Sequence, residues 1–266
     1  MNASKRAIVS VATDSWTVGQ ERLVREFRAF GEANVITWTN RLPMGCPPHR
    51  DRGLLAAHRS LCTPYAFKAY AMHIAAETGN RMLLWADACI RPLRPLDEIW
   101  ARVERDGVWI CRNGWRNSDW TADSAYADLF TTADLTGCDD DIRPPLQAYR
   151  ELNQTIPHVV ATTFALDTEH PKGRAFLDEY FRLASKTQAF RGPWRNTNCP
   201  SQMTGVATDH AAGHCGPATT LGHRHDQTAA AVIAWRLGIP LCDPPDGFAY
   251  AKSETDKTVL IADGVY

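Results

Sequence analysis

One carboxylate follows directly on a segment that is predicted to be a buried strand. The run "RMLLWA" (81–86) is mostly apolar and is followed by Asp87 and then by a Pro-punctuated segment. Open parallel sheets bind ligands beyond the carboxyl ends of their strands. A carboxylate at that edge suits a divalent cation that carries a diphosphate. A simple turn, in which Asp87 only ends the strand, is the alternative.

A second polar cluster, "HRHDQ" (223–227), precedes an apolar helical pattern. In an extended segment, His223 and His225 would project to one side, as metal ligands often do. Asp226 is well placed to cap the helix, and it is also a candidate general base toward an acceptor hydroxyl. Capping with merely exposed histidines is the alternative, and it does not exclude the other roles.

Three more polar residues are predicted to lie near the same sheet edge. Lys68 falls near the start of the helix predicted over 65–77, close to where a phosphate would lie. A lysine on a solvated helix face fits equally well. Thr13 and Asp14 follow the first predicted strand and would contact a nucleotide base or ribose, with a simple turn as the alternative.

Strands and helices alternate along the part of the chain that would position these residues. The β-α-β-α-β order of the first ~110 residues is the signature of an α/β sheet with right-handed crossovers. Later in the chain, "HVVATTFALD" (158–167) predicts a strand, and "PKGRAFLDEYFRLASK" (171–186) predicts a helix. We therefore predict an α/β fold with a Rossmann-type mixed sheet flanked by helices.

Two segments carry a resemblance to a known family. "PYAFKAYAMHIAAETGNRMLLWADACIRPLRPLDEIWARVERDGVWIC" and "GHRHDQTAAAVIAWRLGIPL" resemble the GT-A class of sugar-nucleotide-dependent glycosyltransferases. In element order the resemblance spans roughly residues 6–111 and 158–240. That class has an apolar strand ending in an Asp-x-Asp motif, and a His-containing element that closes a metal site. This sequence departs from the motif at its second carboxylate, because Asp87 is followed by Ala88 and Cys89.

The resemblance implies a single GT-A-like domain over 1–266, with a nucleotide-sugar-binding half (1–111) and an acceptor-binding half (112–266). It implies transfer of a sugar from a nucleotide sugar, expected to be a UDP-sugar, to an acceptor hydroxyl, with Mn²⁺ or Mg²⁺ as cofactor. The implied site residues are Asp87, His223 and His225 for the metal, Thr13, Asp14, Lys68 and Asp87 for the donor, and Asp226 and Lys68 for catalysis.

The acceptor is predicted from a basic segment. Residues 172–195 combine lysines and arginines with Phe190 and Trp194, a composition that suits a DNA backbone and a flipped base. In overall character the chain is then similar to the phage TET-associated glycosyltransferases, which modify 5-hydroxymethylcytosine. A solvated helix face is the alternative, with a surface glycan or a protein as the acceptor. Trp115 and Trp120 would stack on sugars or bases, or pack in the core.

The composition of the chain limits the other classes of protein to which it could belong. The chain has 266 residues, 44% of them apolar, a net charge of −1 and eight cysteines without a CxxC spacing. No apolar stretch approaches the ~18 residues of a membrane span, so we expect a soluble, cytoplasmic protein of a bacterial or phage-infected cell, with reduced thiols. Two alternative functions remain. The chain could be a nucleotide-binding protein that has lost glycosyltransferase activity, or a zinc-containing nucleic-acid-binding module. The zinc ligands of that module would be Cys199, His210, His214 and Cys215, although their spacing is a poor match to the usual C-x₂₋₄-C pattern and favours a flexible acceptor-side loop.

Overall fold

The computed structural model describes residues 5–47, 63–135, 144–191 and 220–264, which form a mixed α/β fold as predicted. The strands of these ranges are β1 (Arg6–Ala12), β2 (Val35–Thr39), β3 (Met82–Ala86), β4 (Ile90–Pro92), β5 (Val108–Trp109), β6 (Arg112–Arg116), β7 (Pro157–Val159), β8 (Thr163–Asp167), β9 (Gly247–Tyr250) and β10 (Thr258–Ala262). The helices are α1 (Thr17–Ala29), α2 (Ala66–Glu77), α3 (Asp97–Asp106), α4 (Tyr126–Leu129), α5 (Leu146–Gln154), α6 (Pro171–Lys186) and α7 (Asp226–Arg236).

The main sheet of the described chain has five strands in the order β2-β1-β3-β8-β5. β1 runs parallel to β2 and β3, whereas β8 is antiparallel to β3 and β5. The carboxyl ends of β1 and β3 therefore lie at the same edge as the start of β8. Every residue of β3 is buried, as its continuous apolar run predicts for a strand covered on both faces.

Alternate residues of β3 divide the core into two layers. Leu83 and Trp85 pack with α2, α6 and α7, while Leu84 and Ala86 pack with α1, α3 and a small outer sheet. That outer sheet has the order β4-β10-β9 within the described residues. This two-layer packing fixes the relative positions of α2, β3 and α7.

The structure differs from the sequence-based elements mainly in its strands, and β4 forms within the segment expected to be a Pro-punctuated loop. The strand predicted over 158–167 is two strands, because the chain leaves β7, which pairs with β6, before entering β8 of the main sheet. The strands β9 and β10 were not predicted, since both are short and are separated by polar turn residues. No helix in the described ranges is both long and apolar enough to cross a membrane.

Candidate functional site

Asp87 lies at the carboxyl edge of the main sheet, one residue beyond β3. Its backbone N–H donates to the carbonyl of Thr162 at 2.9 Å, which ties the strand end to the segment before β8. The indole Nε1 of Trp85 donates to Asp87 Oδ1 at 2.7 Å. The carboxylate is oriented by these contacts, yet 29% of the side chain is exposed. Asp87 can therefore both be held in place and meet a ligand.

Lys68, from the first turn of α2, joins Asp87 to Asp226. Its Nζ lies 2.9 Å from Asp226 Oδ2 and 3.2 Å from Asp87 Oδ1, and it donates to the carbonyl of Ala161 at 2.8 Å. The contacts with Asp87 and Ala161 are hydrogen bonds and the contact with Asp226 is an ion pair, so three oxygens surround the ammonium. Lys68 is 3% exposed and Asp226 is 4% exposed, so the ion pair between them is buried.

The charges in this cluster perturb one another. Burial by itself would lower the pKa of Lys68, but the carboxylates of Asp226 and Asp87 outweigh it, so that the pKa is raised. Burial raises the pKa of both Asp87 and Asp226, and the Lys68 ammonium offsets part of that rise. Lys68 therefore stays protonated at neutral pH. The two carboxylates are more easily protonated than exposed ones.

The segment before α7 places Asp226 differently from the predicted helix cap. The N-cap position is occupied by His225, whose φ is 49°, and Asp226 is the first helical residue. Its carboxylate forms an ion pair with Lys68. The predicted N-cap position of Asp226 is therefore wrong by one residue, because the helix begins at Asp226 itself.

The two histidines of this segment contact the backbone. His223 is fully buried, accepts a hydrogen bond from the Ala122 N–H at Nδ1 (3.2 Å), and donates from Nε2 to the Ala189 carbonyl (2.8 Å). His225 Nδ1 lies 2.9 Å from the carbonyl of Phe190, and its ring centroid lies 5.8 Å from that of Tyr65. The structure thus brings Asp87, Lys68 and Asp226 together, and it places His223 in a separate backbone contact.

The residues predicted to hold Mn²⁺ or Mg²⁺ do not fit a metal in this arrangement. Both ring nitrogens of His223 are engaged, and the carboxylates of Asp87 and Asp226 surround an ammonium. Among the described residues, no group of three or more His, Cys, Asp or Glu side chains is arranged to hold a metal ion. The predicted zinc ligands Cys199, His210, His214 and Cys215 lie outside the described residues, as does Trp194.

Arg224, which was not singled out from the sequence, is a charged residue near Asp226. Its guanidinium lies 5.5 Å from the ring centroid of Trp115 and 5.3 Å from that of Trp120, a stacked arrangement typical of cation–π contacts. Its Nε donates to Gln227 Oε1 at 3.1 Å, and within the described chain it forms no ion pair with a carboxylate. Burial lowers the pKa of this guanidinium. The only sequence signal was its place between His223 and His225.

Thr13 and Asp14 lie where predicted, directly after β1 and beside the exit of β3. Asp14 is exposed, has a φ of 53° and donates its backbone N–H to Asn40 Oδ1 at 2.9 Å. That contact fixes the turn and leaves the Asp14 carboxylate facing solvent. Both residues are thus available at the edge that also presents Asp87.

The basic segment 172–195 is only partly described, and that part is less basic than its composition indicates. Arg174 forms an ion pair with Asp178 at 3.0 Å, and Arg182 forms one with Glu179 at 2.6 Å. Phe190, predicted to interleave with the basic residues, is fully buried and packs on Tyr180. It is therefore not placed to stack on a base.

No protein-family model matches the sequence, and no curated protein is significantly similar to it in sequence. Similar solved structures include a glycosyltransferase involved in the glycosylation of the major capsid of PBCV-1, with 9% identity over 97% of this chain and 91% of that chain, and a TM-score of 0.42. A second is the bifunctional glycosyltransferase WbbM, with 8% identity, a TM-score of 0.45 and coverage of 98% of this chain. A third is mouse xyloside xylosyltransferase 1, with 11% identity over 98% of this chain and 97% of that chain, and a TM-score of 0.44.

The present chain spans 46% of the WbbM chain. All three TM-scores lie below 0.5, and the identities do not exceed 11%. These similarities carry no argument about the activity of the present chain.

Proposed function

We propose that this protein is a glycosyltransferase that moves a sugar from a nucleotide sugar, most simply a UDP-sugar, to an acceptor hydroxyl. The observation that carries the proposal is the oriented, partly exposed Asp87 at the carboxyl edge of β3, joined through Lys68 to Asp226. Ligand sites of open α/β sheets lie at this edge. The resemblance of segments 64–111 and 222–241 to the GT-A class supports the same conclusion.

The donor would be held by polar groups around this edge. Asp87 has carboxylate oxygens that accept hydrogen bonds from hydroxyl groups of the donor, and Thr13 and Asp14 offer further polar contacts beside it. Arg224 would bind the diphosphate, since a guanidinium presents several donors in a planar fork that matches phosphate oxygens. Its stacking on Trp115 and Trp120 keeps the fork in one orientation.

Lys68 acts as a positioning residue in this proposal. A contact with the leaving diphosphate was expected from the sequence, but the buried ammonium is already surrounded by Asp87, Asp226 and the Ala161 carbonyl. Its role is to hold the two carboxylates at a fixed separation. The stabilisation of charge on the leaving diphosphate, which is commonly the largest catalytic contribution, then falls to Arg224.

Asp226 is the proposed general base. It would take the proton of the acceptor hydroxyl as that oxygen bonds to the sugar carbon and the bond to the nucleoside diphosphate breaks. Burial raises its pKa toward the working pH, which is the direction that suits a general base. Direct displacement of this kind inverts the configuration at the sugar carbon.

No step of this mechanism passes through a metal, because the residues predicted to hold one do not fit it. The metal sites predicted at Asp87, His223 and His225 remain testable by adding Mn²⁺ to the donor assays. 5-Hydroxymethylcytosine in DNA also stays a prediction, and the ion pairs of α6 and the burial of Phe190 do not support it. An acceptor screen should therefore include glycans and proteins beside hydroxymethylated DNA.

Thermal unfolding with UDP-, GDP- and CDP-sugars, in EDTA and in Mn²⁺, tests the donor site. We expect one class of nucleotide sugar to raise the melting temperature of the wild type, and the Asp87→Asn variant to lose that shift. Asp178→Asn, which changes an exposed carboxylate on α6, is the matched control and should keep it. Absence of a shift with every nucleotide sugar would contradict the proposal. A shift that appears only with Mn²⁺ would show that a metal is part of the donor site.

A further inference from the structure

Cys111 and Cys242 face each other across two paired chain segments. Cys111 follows β5, Cys242 follows α7, and their Cα atoms are partners in an isolated parallel bridge. The Cys242 N–H donates to the Ile110 carbonyl, and the Arg112 N–H donates to the Cys242 carbonyl, both at 3.0 Å. Paired segments lie about 4.8 Å apart, which falls within the Cα separation of about 4.4–6.8 Å that disulfides take. The backbone thus already holds the two residues at a separation suited to a bond.

The two thiols also contact each other. The Cys111 thiol forms a hydrogen bond with the Cys242 sulfur, and the Arg102 guanidinium donates to Cys242 Sγ from Nη1 at 3.1 Å. Arg102 is fixed by an ion pair with Asp246 at 2.8 Å. Cys111 is 1% exposed, whereas Cys242 is only half-buried. A small reagent therefore reaches Cys242 more easily than Cys111.

This arrangement gives the two sulfurs different reactivities. The hydrogen bond from Cys111 and the guanidinium of Arg102 lower the pKa of Cys242 to about 7, although burial and the nearby Asp246 carboxylate act in the opposite direction. The hydrogen bond to Cys242, followed by burial, raises the pKa of Cys111 well above its usual range. At neutral pH, Cys242 is therefore the nucleophile, and Cys111 is a neutral thiol directly beside it.

The other free cysteines of the described chain lack this environment. Burial raises the pKa of Cys46 and of Cys89 to about 12, and neither has an arginine contact at its sulfur. Both are half-buried, as Cys242 is. Exposure therefore does not distinguish Cys242, but its partners do.

We propose that Cys242 and Cys111 form a peroxide-reactive dithiol, in which the peroxide is the oxidant. The Cys242 thiolate attacks one peroxide oxygen, the O–O bond breaks, and a sulfenic acid and hydroxide result. The Cys111 thiol then attacks the sulfenic sulfur, its proton leaves with the displaced hydroxyl as water, and the S–S bond forms. The protein thereby loses two electrons to the peroxide and links the β5–β6 connection to the segment after α7. This inference is independent of the proposed transferase activity.

The test is oxidation of the full-length, reduced protein by equimolar hydrogen peroxide at pH 7, with peptide mapping of all eight cysteines. We expect a peptide pair linked through Cys111 and Cys242, and we expect Arg102→Gln to slow its formation severalfold. Cys111→Ser should leave a sulfenic acid at Cys242 that dimedone traps. Cys46→Ser is the matched control and should form the link at the wild-type rate.

Three results would overturn the proposal. The first is oxidation of Cys46 or Cys89 as fast as that of Cys242, and the second is a disulfide that joins Cys242 to a different cysteine. The third is accumulation of sulfinic acid at Cys242 in the wild type without any link to Cys111. Circular dichroism of each reduced variant verifies that it is folded before peroxide is added.

Discussion

At the scale of single residues, Lys68 determines the character of the site. It is a buried ammonium between carboxylates that come from two other elements, Asp87 after β3 and Asp226 at the start of α7. Removing one partner of a buried ion pair leaves an uncompensated charge, which is more damaging than removing the whole pair. The cluster is therefore both a structural link and a device that orients two carboxylates.

Replacing Lys68 by Met should lower the free energy of unfolding by about 3–5 kcal/mol. The reason is that Asp226, which is 4% exposed, loses its counter-charge. The double variant Lys68→Met with Asp226→Leu should be more stable than Lys68→Met alone, because it removes the stranded carboxylate. Urea denaturation measures both effects. A loss below about 1 kcal/mol, the range of an exposed pair, would contradict the description of a buried cluster.

Replacing Arg224 by Lys keeps the charge but removes the fork and most of the stacking on Trp115 and Trp120. We expect the nucleotide sugar to bind about 10- to 100-fold more weakly, the range that corresponds to a lost charged hydrogen bond of about 1.5–3 kcal/mol. Titration calorimetry measures the dissociation constant. The control is Arg174→Lys on the exposed face of α6, and equal affinities in the two variants would argue against a diphosphate contact.

At the scale of elements, the site depends on close packing of helices on the main sheet. α6 approaches the end of β8 at Gly173, where an added Cβ would lie closer than 3.0 Å to the backbone carbonyl oxygens of Asp167 and Gly107. Backbone atoms cannot move aside as a flexible side chain can. This glycine therefore sets the distance between α6 and the sheet.

Gly173→Ala should lower the free energy of unfolding by about 3 kcal/mol, the upper end of the usual effect of overpacking. Gly31→Ala is the comparison, because an added Cβ there meets no atom within 4 Å and only the positive φ of 91° is unfavourable. We expect that variant to lose about 1–2 kcal/mol. Thermal unfolding of the two variants measures both effects. Equal losses of stability would contradict the close approach of Gly173 to the backbone of Asp167 and Gly107.

Two buried histidines connect elements near the site. Burial lowers the pKa of His158 to about 3 and that of His223 to about 4. His158 Nδ1 lies 2.7 Å from Asn117 Oδ1, and His223 links the Ala122 N–H to the Ala189 carbonyl. Both rings are therefore neutral in the folded protein over most of the pH range.

Stability should consequently fall as the pH drops below about 6.5, the ordinary histidine pKa of the unfolded chain. Between that value and the folded pKa, each histidine binds a proton in the unfolded state but not in the folded state. The free energy of unfolding therefore falls by up to ~1.4 kcal/mol per pH unit for each histidine. His223→Gln keeps one donor and one acceptor, and it should reduce this slope. Urea midpoints at pH 7, 6 and 5 provide the measurement. A slope equal to that of the wild type would show that His223 does not contribute.

At the scale of the whole molecule, the sequence predicted the elements better than it predicted the contacts between them. The bounds of α6 agree with the helix predicted over 171–186, because one buried face leaves a regular apolar period in the sequence. β3 ends before Asp87 as predicted, because a strand buried on both faces is a continuous apolar run. Such local patterns were sufficient to predict the mixed α/β fold.

The contacts within the site could not be predicted in the same way. Lys68 and Asp87 are 19 residues apart, and Asp226 lies much farther along the chain. Their meeting depends on how α2 and α7 pack against β3, and no local period records that packing. The stacking of Arg224 on Trp115 and Trp120, and the pairing of Cys111 with Cys242, are long-range contacts of the same kind.

The central claim is that the cluster of Asp87, Lys68 and Asp226 catalyses transfer from a nucleotide sugar. Its most direct test is the release of nucleoside diphosphate, followed by chromatography, from the nucleotide sugar that stabilises the wild type, with water or an added acceptor taking the sugar. We predict release by the wild type, a loss of about 100-fold or more in Asp226→Asn, consistent with removal of a general base, and an unchanged rate in the control Asp178→Asn. Equal rates in the wild type and Asp226→Asn, or tight donor binding without any release, would contradict the claim.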